Sequence, residues 1–379
     1  MLYLDNAATT PVRAEALQAA WPFLTNEYGN PSSTHELGLR AKSALDWARN
    51  SCANFLGCNP EEIVFTSGAT ESNNLAIKGL ALANPRGKHI ISAATEHSSV
   101  LESLEFLVDF HGFTLTLLPV SAEGFVTVDE LKSALRPDTT LVTLMMANNE
   151  IGTVHPIAEL AAAAKAAGAL FHTDAVQAAG WLPMDTGHLG VDALSLSGHK
   201  FGAPKGSGLL YLRQRNETVP LLHGGGQENG RRSGTENVAW AVALATALSL
   251  LPTPDAVAKT KAAATTLIEE VTSRFSNARL TGPHPDSNRR HPAIASFTFQ
   301  GINGETLLLE LENAGVICSS GSACSAGSDE PSHVLVALGL DHDVCRTAVR
   351  FSFGHDASTD QSVQALSALE RALTRISSL

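Results

Sequence analysis

The sequence predicts an α/β fold: a large domain with a mostly parallel sheet covered by helices, followed by a smaller α+β C-terminal domain. Three observations carry that prediction. Apolar runs of strand length alternate with helix-like segments through the first two-thirds of the chain, the pattern of parallel strands joined by crossover helices. A proline-marked break, Leu251-Pro252-Thr253-Pro254, interrupts that pattern. Beyond it come a long Ala/Lys/Glu-rich helical stretch, a polar loop and short strands, which read as a second unit.

Strands are expected at residues 62–66, 88–93, 113–118, 141–146, 169–173, 191–196 and 208–212, each a short apolar or alternating run. Thr127 and Glu130 have capping-box spacing ahead of an apolar stretch. Pro156 suits the first turn of the Ala-rich helix that follows. The greasy stretch 238–251 is too short for a membrane span, which needs about 20 residues, and reads as a buried core helix. In the second unit a polar loop at 282–292 precedes a strand at 295–299, a helix from Gly304 and a strand at 316–318. A Gly/Ser-rich loop, 319–328, then leads into a closing strand–helix pair whose helix covers 363–376.

Composition excludes several classes. The 379 residues are 44% apolar and 17% charged, ordinary for a globular chain with a sizeable core. A net charge of −12 argues against broad attraction to nucleic acid or anionic lipid. The N-terminal residues Met1 to Asn6 reach Asp5 before any apolar run of leader length. Five cysteines, odd in number and without a C-x-x-C pair, argue against a disulfide framework or zinc site. A soluble cytoplasmic protein is expected, with no nucleic acid or membrane partner.

Chemistry gathers where predicted strands end, the edge at which ligands of such folds bind. Lys200, in Ser197-Gly198-His199-Lys200, follows the strand 191–196 and precedes a Gly/Pro turn. A lysine so held can be partly desolvated, which lowers its pKa and makes it a nucleophile toward an aldehyde; a solvated surface lysine is the bland alternative. Phe65 to Ser72 joins a strand to a helix through Ser67-Gly68-Ala69-Thr70. Its exposed N–H groups can seat a phosphate, or merely begin a helix. Asp174 ends the strand 169–173 and can pair with a protonated ring nitrogen or cap a helix. His97 follows the strand 88–93 and can lie over a planar group and pass protons, or cap the next helix. Gly224-Gly225-Gly226 with Gly230 lacks the spacing and leading strand of a dinucleotide loop.

Two features lie in the second unit. Cys324 sits among small residues in Ser319-Ser320-Gly321-Ser322-Ala323-Cys324-Ser325, a segment expected to give a thiol reach and exposure; an incidental cysteine is the alternative. Cys318 ends an apolar strand and is expected to be buried and inert. In Val349-Arg350-Phe351-Ser352-Phe353 the alternation sets Arg350 opposite the aromatics. There it can grip a carboxylate or simply face solvent.

Taken together, these motifs resemble the cysteine desulfurases, pyridoxal-phosphate enzymes of the class V aminotransferase group. The resemblance runs nearly the whole chain: Tyr3 to Thr10, Phe65 to Ser72, Thr95-Glu96-His97, Asn148 to Gly152, His172 to Gln177, Ser197 to Lys200, Arg232 to Thr235 and Ser319 to Ser325, all in family order. The cysteine loop is similar to that of the nitrogenase-associated and housekeeping subgroup. The resemblance implies the fold-type-I transferase architecture, with residues 14–255 as the large cofactor-binding domain and 1–13 with 256–379 as the small domain. It implies pyridoxal 5'-phosphate as cofactor and L-cysteine as substrate, converted to L-alanine with sulfur passed to Cys324 as a persulfide.

By the same resemblance Lys200 carries the cofactor covalently and moves the Cα proton. Asp174 pairs with the pyridine nitrogen, Gln177 bonds the phenolic oxygen, and His97 stacks on the ring and helps take the thiol proton. Ala69, Thr70, Ser197 and His199 hold the phosphate, and Asn149 lies beside the ring and substrate. Thr235 reaches the phosphate across a twofold axis, implying a homodimer, and Arg350 binds the substrate carboxylate. The persulfide goes to a sulfur acceptor or iron–sulfur scaffold protein; no metal site is expected beyond transient contact of that persulfide with a cluster. The sequence ends at Leu379, without the longer tail that housekeeping members use to dock a scaffold, which leaves the acceptor open. Two alternatives are a selenocysteine lyase, sharing the fold and cofactor, and a catalytically silent pyridoxal-binding platform for sulfur carriers.

Overall fold

A seven-stranded sheet forms the centre of the larger unit in the computed structural model, which describes residues 1–84, 86–320 and 330–378. Its spatial order is Ile63–Thr66, Gly208–Leu212, Ala193–Ser197, Leu170–Asp174, Thr139–Thr143, His89–Ala93 and Thr114–Leu118. Gly208–Leu212 runs antiparallel to both neighbours and every other pairing within the sheet is parallel. The mostly parallel sheet expected from strand–helix alternation is therefore present, with one reversed strand. The carboxyl ends of the six parallel strands share one edge, where the loops gather.

Interior strands of this sheet are buried on both faces: Thr139–Thr143, Ala193–Ser197 and Gly208–Leu212 have no exposed residue. Helices cover both faces, and Gly208–Leu212 reads as a continuous apolar run, whereas Ala193–Ser197 alternates and Thr139–Thr143 carries three threonines although both are buried throughout. The helix Val238–Ser249 packs nine buried residues into the core, as its uniformly apolar sequence demands. The capping box is formed: Thr127 Oγ1 accepts the Glu130 N–H at 3.2 Å, and Glu130 accepts the Thr127 N–H at 2.7 Å.

Most strand ends fall within a residue of expectation, and the larger departures lie in two strands. The run expected at 141–146 begins at Thr139 and is regular strand only to Thr143; beyond it the Leu144 and Met146 N–H groups still donate to the His172 and Asp174 carbonyls, with both side chains in the core and Met145 lining the edge. The strand expected from residue 191 begins at Ala193, because the Asp192 carboxylate accepts the Phe171 N–H at 3.0 Å and fixes the entry instead.

Past the Pro252–Pro254 break, a three-stranded antiparallel sheet is ordered Ala348–Ser352, Ile294–Phe299, Ala278–Leu280. It packs on the helices Pro254–Arg274 and Thr359–Ser377. Phe297, Phe299, Phe351 and Phe353 are fully buried in an apolar cluster with Leu4. The N-terminal strand Leu2–Tyr3 pairs in parallel with Val316–Ile317, and Asp5 bridges to Ser352. The chain thus starts in the small unit and then crosses the mouth of the large sheet.

Candidate active site

A cavity of about 570 Å³ opens at the carboxyl edge of the large sheet, a volume typical of small-molecule sites. Asp174, the last residue of Leu170–Asp174, forms its floor with only 7% exposure. Its Oδ1 accepts the Val176 N–H at 3.0 Å, and its Oδ2 accepts an Asn73 side-chain N–H at 2.7 Å. The carboxylate caps no helix; it is held rigidly and faces the cavity.

Lys200 follows the strand Ala193–Ser197 through a single 3₁₀ turn. Its Nζ donates to the carbonyls of Ala7 at 2.6 Å and Ala8 at 2.9 Å. The N-terminal segment therefore closes over the amine. Gln177 donates to the same Ala7 carbonyl at 2.9 Å. His199 anchors that segment further, its Nδ1 lying 3.1 Å from Thr9 Oγ1. Burial first, then the charges of Lys200 and Lys205, push the His199 imidazole down to about 4.

His97 caps the helix Ser98–His111 and also lines the cavity, so the two readings of this residue coincide. Its Nδ1 accepts the Ser99 N–H at 3.1 Å and lies 2.9 Å from Ser99 Oγ. This bonding pattern assigns the ring proton to Nε2. Ser99 Oγ in turn accepts the second Asn73 N–H at 2.9 Å. Asn73 thereby joins Asp174 to His97 through Ser99.

At one end of the cavity begins the helix Ala69–Ala83. Gly68 precedes it with φ 157° and ψ 178°, a conformation essentially restricted to glycine. On the adjacent strand, a Cβ at Gly208 would lie 2.5 Å from Gly68 Cα, so both positions require glycine. The first helical N–H groups, those of Ala69 and Thr70, have no partner within the helix, and both residues line the cavity beside Ser197 and His199.

Arg350 is 1% exposed, which removes the solvated-face reading. Phe351 and Phe353 enter the small core, while the guanidinium lines the cavity. It donates through Nη1 to the Asn149 carbonyl and through Nη2 to Asp5 Oδ1, each at 2.8 Å; Nε has no hydrogen-bond partner. Asn149 itself lines the same wall.

Ten residues singled out in the sequence therefore meet here: Ala69, Thr70, His97, Asn149, Asp174, Gln177, Ser197, His199, Lys200 and Arg350. Thr235 does not join them. It is exposed and lies beside a separate cleft with Arg232 and Gly234. Cys324 lies outside the described residues. Cys318, expected as the buried end of a strand, instead follows the strand Val316–Ile317 by one residue and is partly buried, its thiol pushed up by desolvation.

Sequence reasoning missed Asn73 and Ser99, and it missed the acidic wall. Glu96 is fully buried, with Oε1 accepting the Met145 N–H at 2.7 Å, and burial raises it well above the usual carboxylate range. Burial also raises Glu150, whose Oε2 accepts the Ser332 hydroxyl at 2.5 Å. His333 Nε2 lies 2.9 Å from the Glu96 carbonyl. Only the motifs Thr95-Glu96-His97 and Asn148 to Gly152, which contain Glu96 and Glu150, pointed toward this wall.

A doubly covered sheet, a lysine and an aspartate on adjacent strand ends, and a glycine-led helix start define a fold-type-I transferase, the architecture of a pyridoxal-phosphate-dependent group. Residues 2–366 match the model of the aminotransferase class-V family, and the chain belongs to that family. Within it, the chain is 46% identical to "Cysteine desulfurase IscS" of Dictyoglomus turgidum, covering 99% of this chain and 95% of that protein. It is 46% identical to "Cysteine desulfurase IscS" of Methanosarcina thermophila over 93% of this chain and 87% of the relative. A solved "NIFS-LIKE PROTEIN" superposes with a TM-score of 0.90 at 35% identity, covering 99% of both chains. The chain thus falls among the cysteine desulfurases, as its motifs predicted.

Proposed function

We propose that this cysteine desulfurase uses pyridoxal 5'-phosphate in the cavity at the carboxyl edge of the large sheet, and that each residue gathered there has a distinct task. The overall activity converts L-cysteine to L-alanine while the sulfur passes to an enzyme thiol as a persulfide. The donor set fits the cofactor: a buried carboxylate opposite a lysine, and unpaired helix N–H groups beside a glycine that tolerates no side chain. Bound there, pyridoxal phosphate supplies an electron sink for the charge left on the substrate Cα.

Asp174, fixed by Asn73 and the Val176 N–H, holds a proton at the ring nitrogen. Ala69, Thr70, Ser197 and His199 seat the phosphate; the depressed His199 keeps its ring neutral near pH 7. Gln177, which already donates to the Ala7 carbonyl, would offer its second amide hydrogen to the phenolic oxygen. Lys200 carries the cofactor and moves the Cα proton. His97, with its proton on Nε2, exchanges a proton with the substrate thiol. Arg350 and Asn149 orient the substrate, the guanidinium gripping its carboxylate.

Cys324 receives the sulfur: its thiolate attacks the substrate sulfur, the carbon–sulfur bond breaks, and alanine leaves. The persulfide then passes to a sulfur acceptor or iron–sulfur scaffold in the cytoplasm. A homodimer completes each site, with Thr235 serving the partner's phosphate. Supporting this reading, Leu17, Trp21 and Leu24 share one face of Ala14–Thr25 and are 45%, 60% and 48% exposed, an apolar patch of the kind that marks an interface.

The observation that carries the proposal is Lys200 beside Asp174 on neighbouring strand ends. Protein reconstituted with pyridoxal phosphate and given L-cysteine is expected to release alanine. Borohydride reduction before cysteine is added is expected to leave a pyridoxyl adduct on Lys200. Absence of alanine, or an adduct on another lysine alone, overturns the assignment.

A further inference from the structure

Two consecutive non-glycine residues, Glu228 and Asn229, adopt left-handed backbone conformations, with φ of 50° and 56°. L-residues rarely occupy this region without surrounding contacts that enforce it. The enforcing contact is the Glu228 side chain, whose exposure is 3%. Its Oε2 accepts from Arg49 Nη1 at 2.8 Å and its Oε1 from Arg49 Nη2 at 2.7 Å, a two-point fork. Oε2 also accepts the Phe65 N–H at 3.1 Å, and Arg49 donates to the Ile63 carbonyl at 2.6 Å. The loop is thereby referenced to the strand Ile63–Thr66, which leads into Gly68 and the helix start at the cavity.

A second clamp lies further along the same loop. Arg232 Nε donates to Glu71 Oε1 at 2.8 Å, and Glu71 sits in the first turn of the helix Ala69–Ala83. Gly234 N–H donates to Gln227 Oε1 at 2.9 Å. Thr235 follows directly and is exposed. Buried ion pairs are a poor source of net stability, since apolar replacements often do as well. A two-point pair maintained together with two strained residues instead fixes direction.

We propose that Glu228 is a positioning residue: through its fork with Arg49 it aims the loop that presents Thr235 to a second copy's cofactor phosphate. This inference rests on the reading above that Thr235 acts across the dimer.

Mixed dimers with two affinity tags test it. In the first hybrid, one chain carries Lys200→Ala and Glu228→Gln and the other is unsubstituted, so the only live site receives Thr235 from the altered loop. In the second, Lys200→Ala is on one chain and Glu228→Gln on the other, so the live site receives an unaltered loop. Both contain one substituted loop, and any general loss of stability falls on them equally. The readout is the pyridoxal phosphate concentration that half-saturates the visible absorption of the lysine-bound cofactor at the live site, with half-saturation of alanine production measured beside it. We expect a rise of roughly tenfold in the first hybrid relative to the second, the scale of one weakened hydrogen bond to a charged group.

Thr235→Ala in the same two arrangements is the control. If Thr235→Ala acts across the dimer and Glu228→Gln does not, the positioning role is wrong while the Thr235 reading stands. If Thr235→Ala itself has no effect across the dimer, both fall. Should Glu228→Gln yield no soluble dimer, Glu228→Asp, too short to keep the fork, takes its place with the same outcomes.

Discussion

Asn73 donates a hydrogen bond of 2.7 Å to Oδ2 of Asp174, although the two residues are 101 positions apart. The other hydrogen of the same amide goes to Ser99 Oγ, 2.9 Å away. One side chain thus steadies the carboxylate assigned to the ring nitrogen and, through Ser99, the imidazole assigned to the ring face. A hydrogen bond to a charged group is worth more than a neutral one, about 1.5–3 kcal/mol. Asn73→Ala is therefore expected to lower kcat for alanine formation by about tenfold or more. It should also shift the visible absorption of the bound cofactor, because Asp174 loses one of its two fixed donors. An unchanged spectrum and kcat would show that Val176 alone holds the carboxylate.

Arg350 is paired with Asp5 and yet keeps an unpartnered Nε. Replacing it with lysine keeps the charge beside Asp5 but removes the planar two-point grip on a carboxylate. Arg350→Lys is expected to raise the KM for L-cysteine by about tenfold or more while pyridoxal phosphate affinity holds. Equal loss of cofactor and substrate binding would indicate a structural role in joining Asp5 to the Asn149 wall.

Among the cysteines, the four described thiols are poor nucleophiles by environment. Burial pushes Cys58 up to about 12 and raises Cys52, Cys318 and Cys345 as well. A thiol must ionise to attack sulfur, so none of the four is favoured for the task proposed for Cys324. After incubation with L-cysteine, peptide mass spectrometry is expected to find the added sulfur on the Cys324 peptide. Cys324→Ser should still bind the cofactor and accumulate no persulfide. Added sulfur on the Cys58 or Cys345 peptide would identify a different acceptor.

Lys200 and Asp174 were legible in the sequence because each stands where an apolar run stops, and strand ends in such folds face the ligand edge. Arg350 was legible only in part: alternation separates it from Phe351 and Phe353, but cannot tell a face turned to water from one turned to a cavity. Asn73 and Ser99 carry no local signal, since both lie within the first turns of ordinary helices and matter only through long-range contacts. The strand Ala278–Leu280 escaped notice because three residues are too few to show a period. The run 141–146 reads as strand throughout because backbone bonding to Leu170–Asp174 continues past Thr143 through the Leu144 and Met146 N–H groups, those two side chains being apolar for the core and Met145 for the site.

Acid should weaken this fold before its surface carboxylates titrate, and the sign follows from five histidines. Burial lowers His172 to about 3 and His155 and His291 to about 4, from an ordinary 6.5. His199 and His355 are also lowered to about 4, with burial the leading cause. As pH falls from 6.5 toward 4, the unfolded chain binds protons that the folded chain refuses. Stability present above 6.5 is thus lost across that window, by about 1.4 kcal/mol per pH unit for each fully buried imidazole. Glu96 and Glu150 act oppositely: burial raises them, so they hold protons in the folded state above the ordinary 4.5 and favour the acid side. These five, joined by His89, which burial also lowers, outweigh the two carboxyls, and the urea midpoint is expected to be clearly lower at pH 5.5 than at pH 7.5. His172, bonded to Thr143 and Ser195 inside the sheet, offers the sharpest check. His172→Asn should flatten the dependence below pH 6.5 by about one proton's worth. A midpoint that stays level or rises on acidification would mean that the two carboxyls, not the imidazoles, dominate the proton balance.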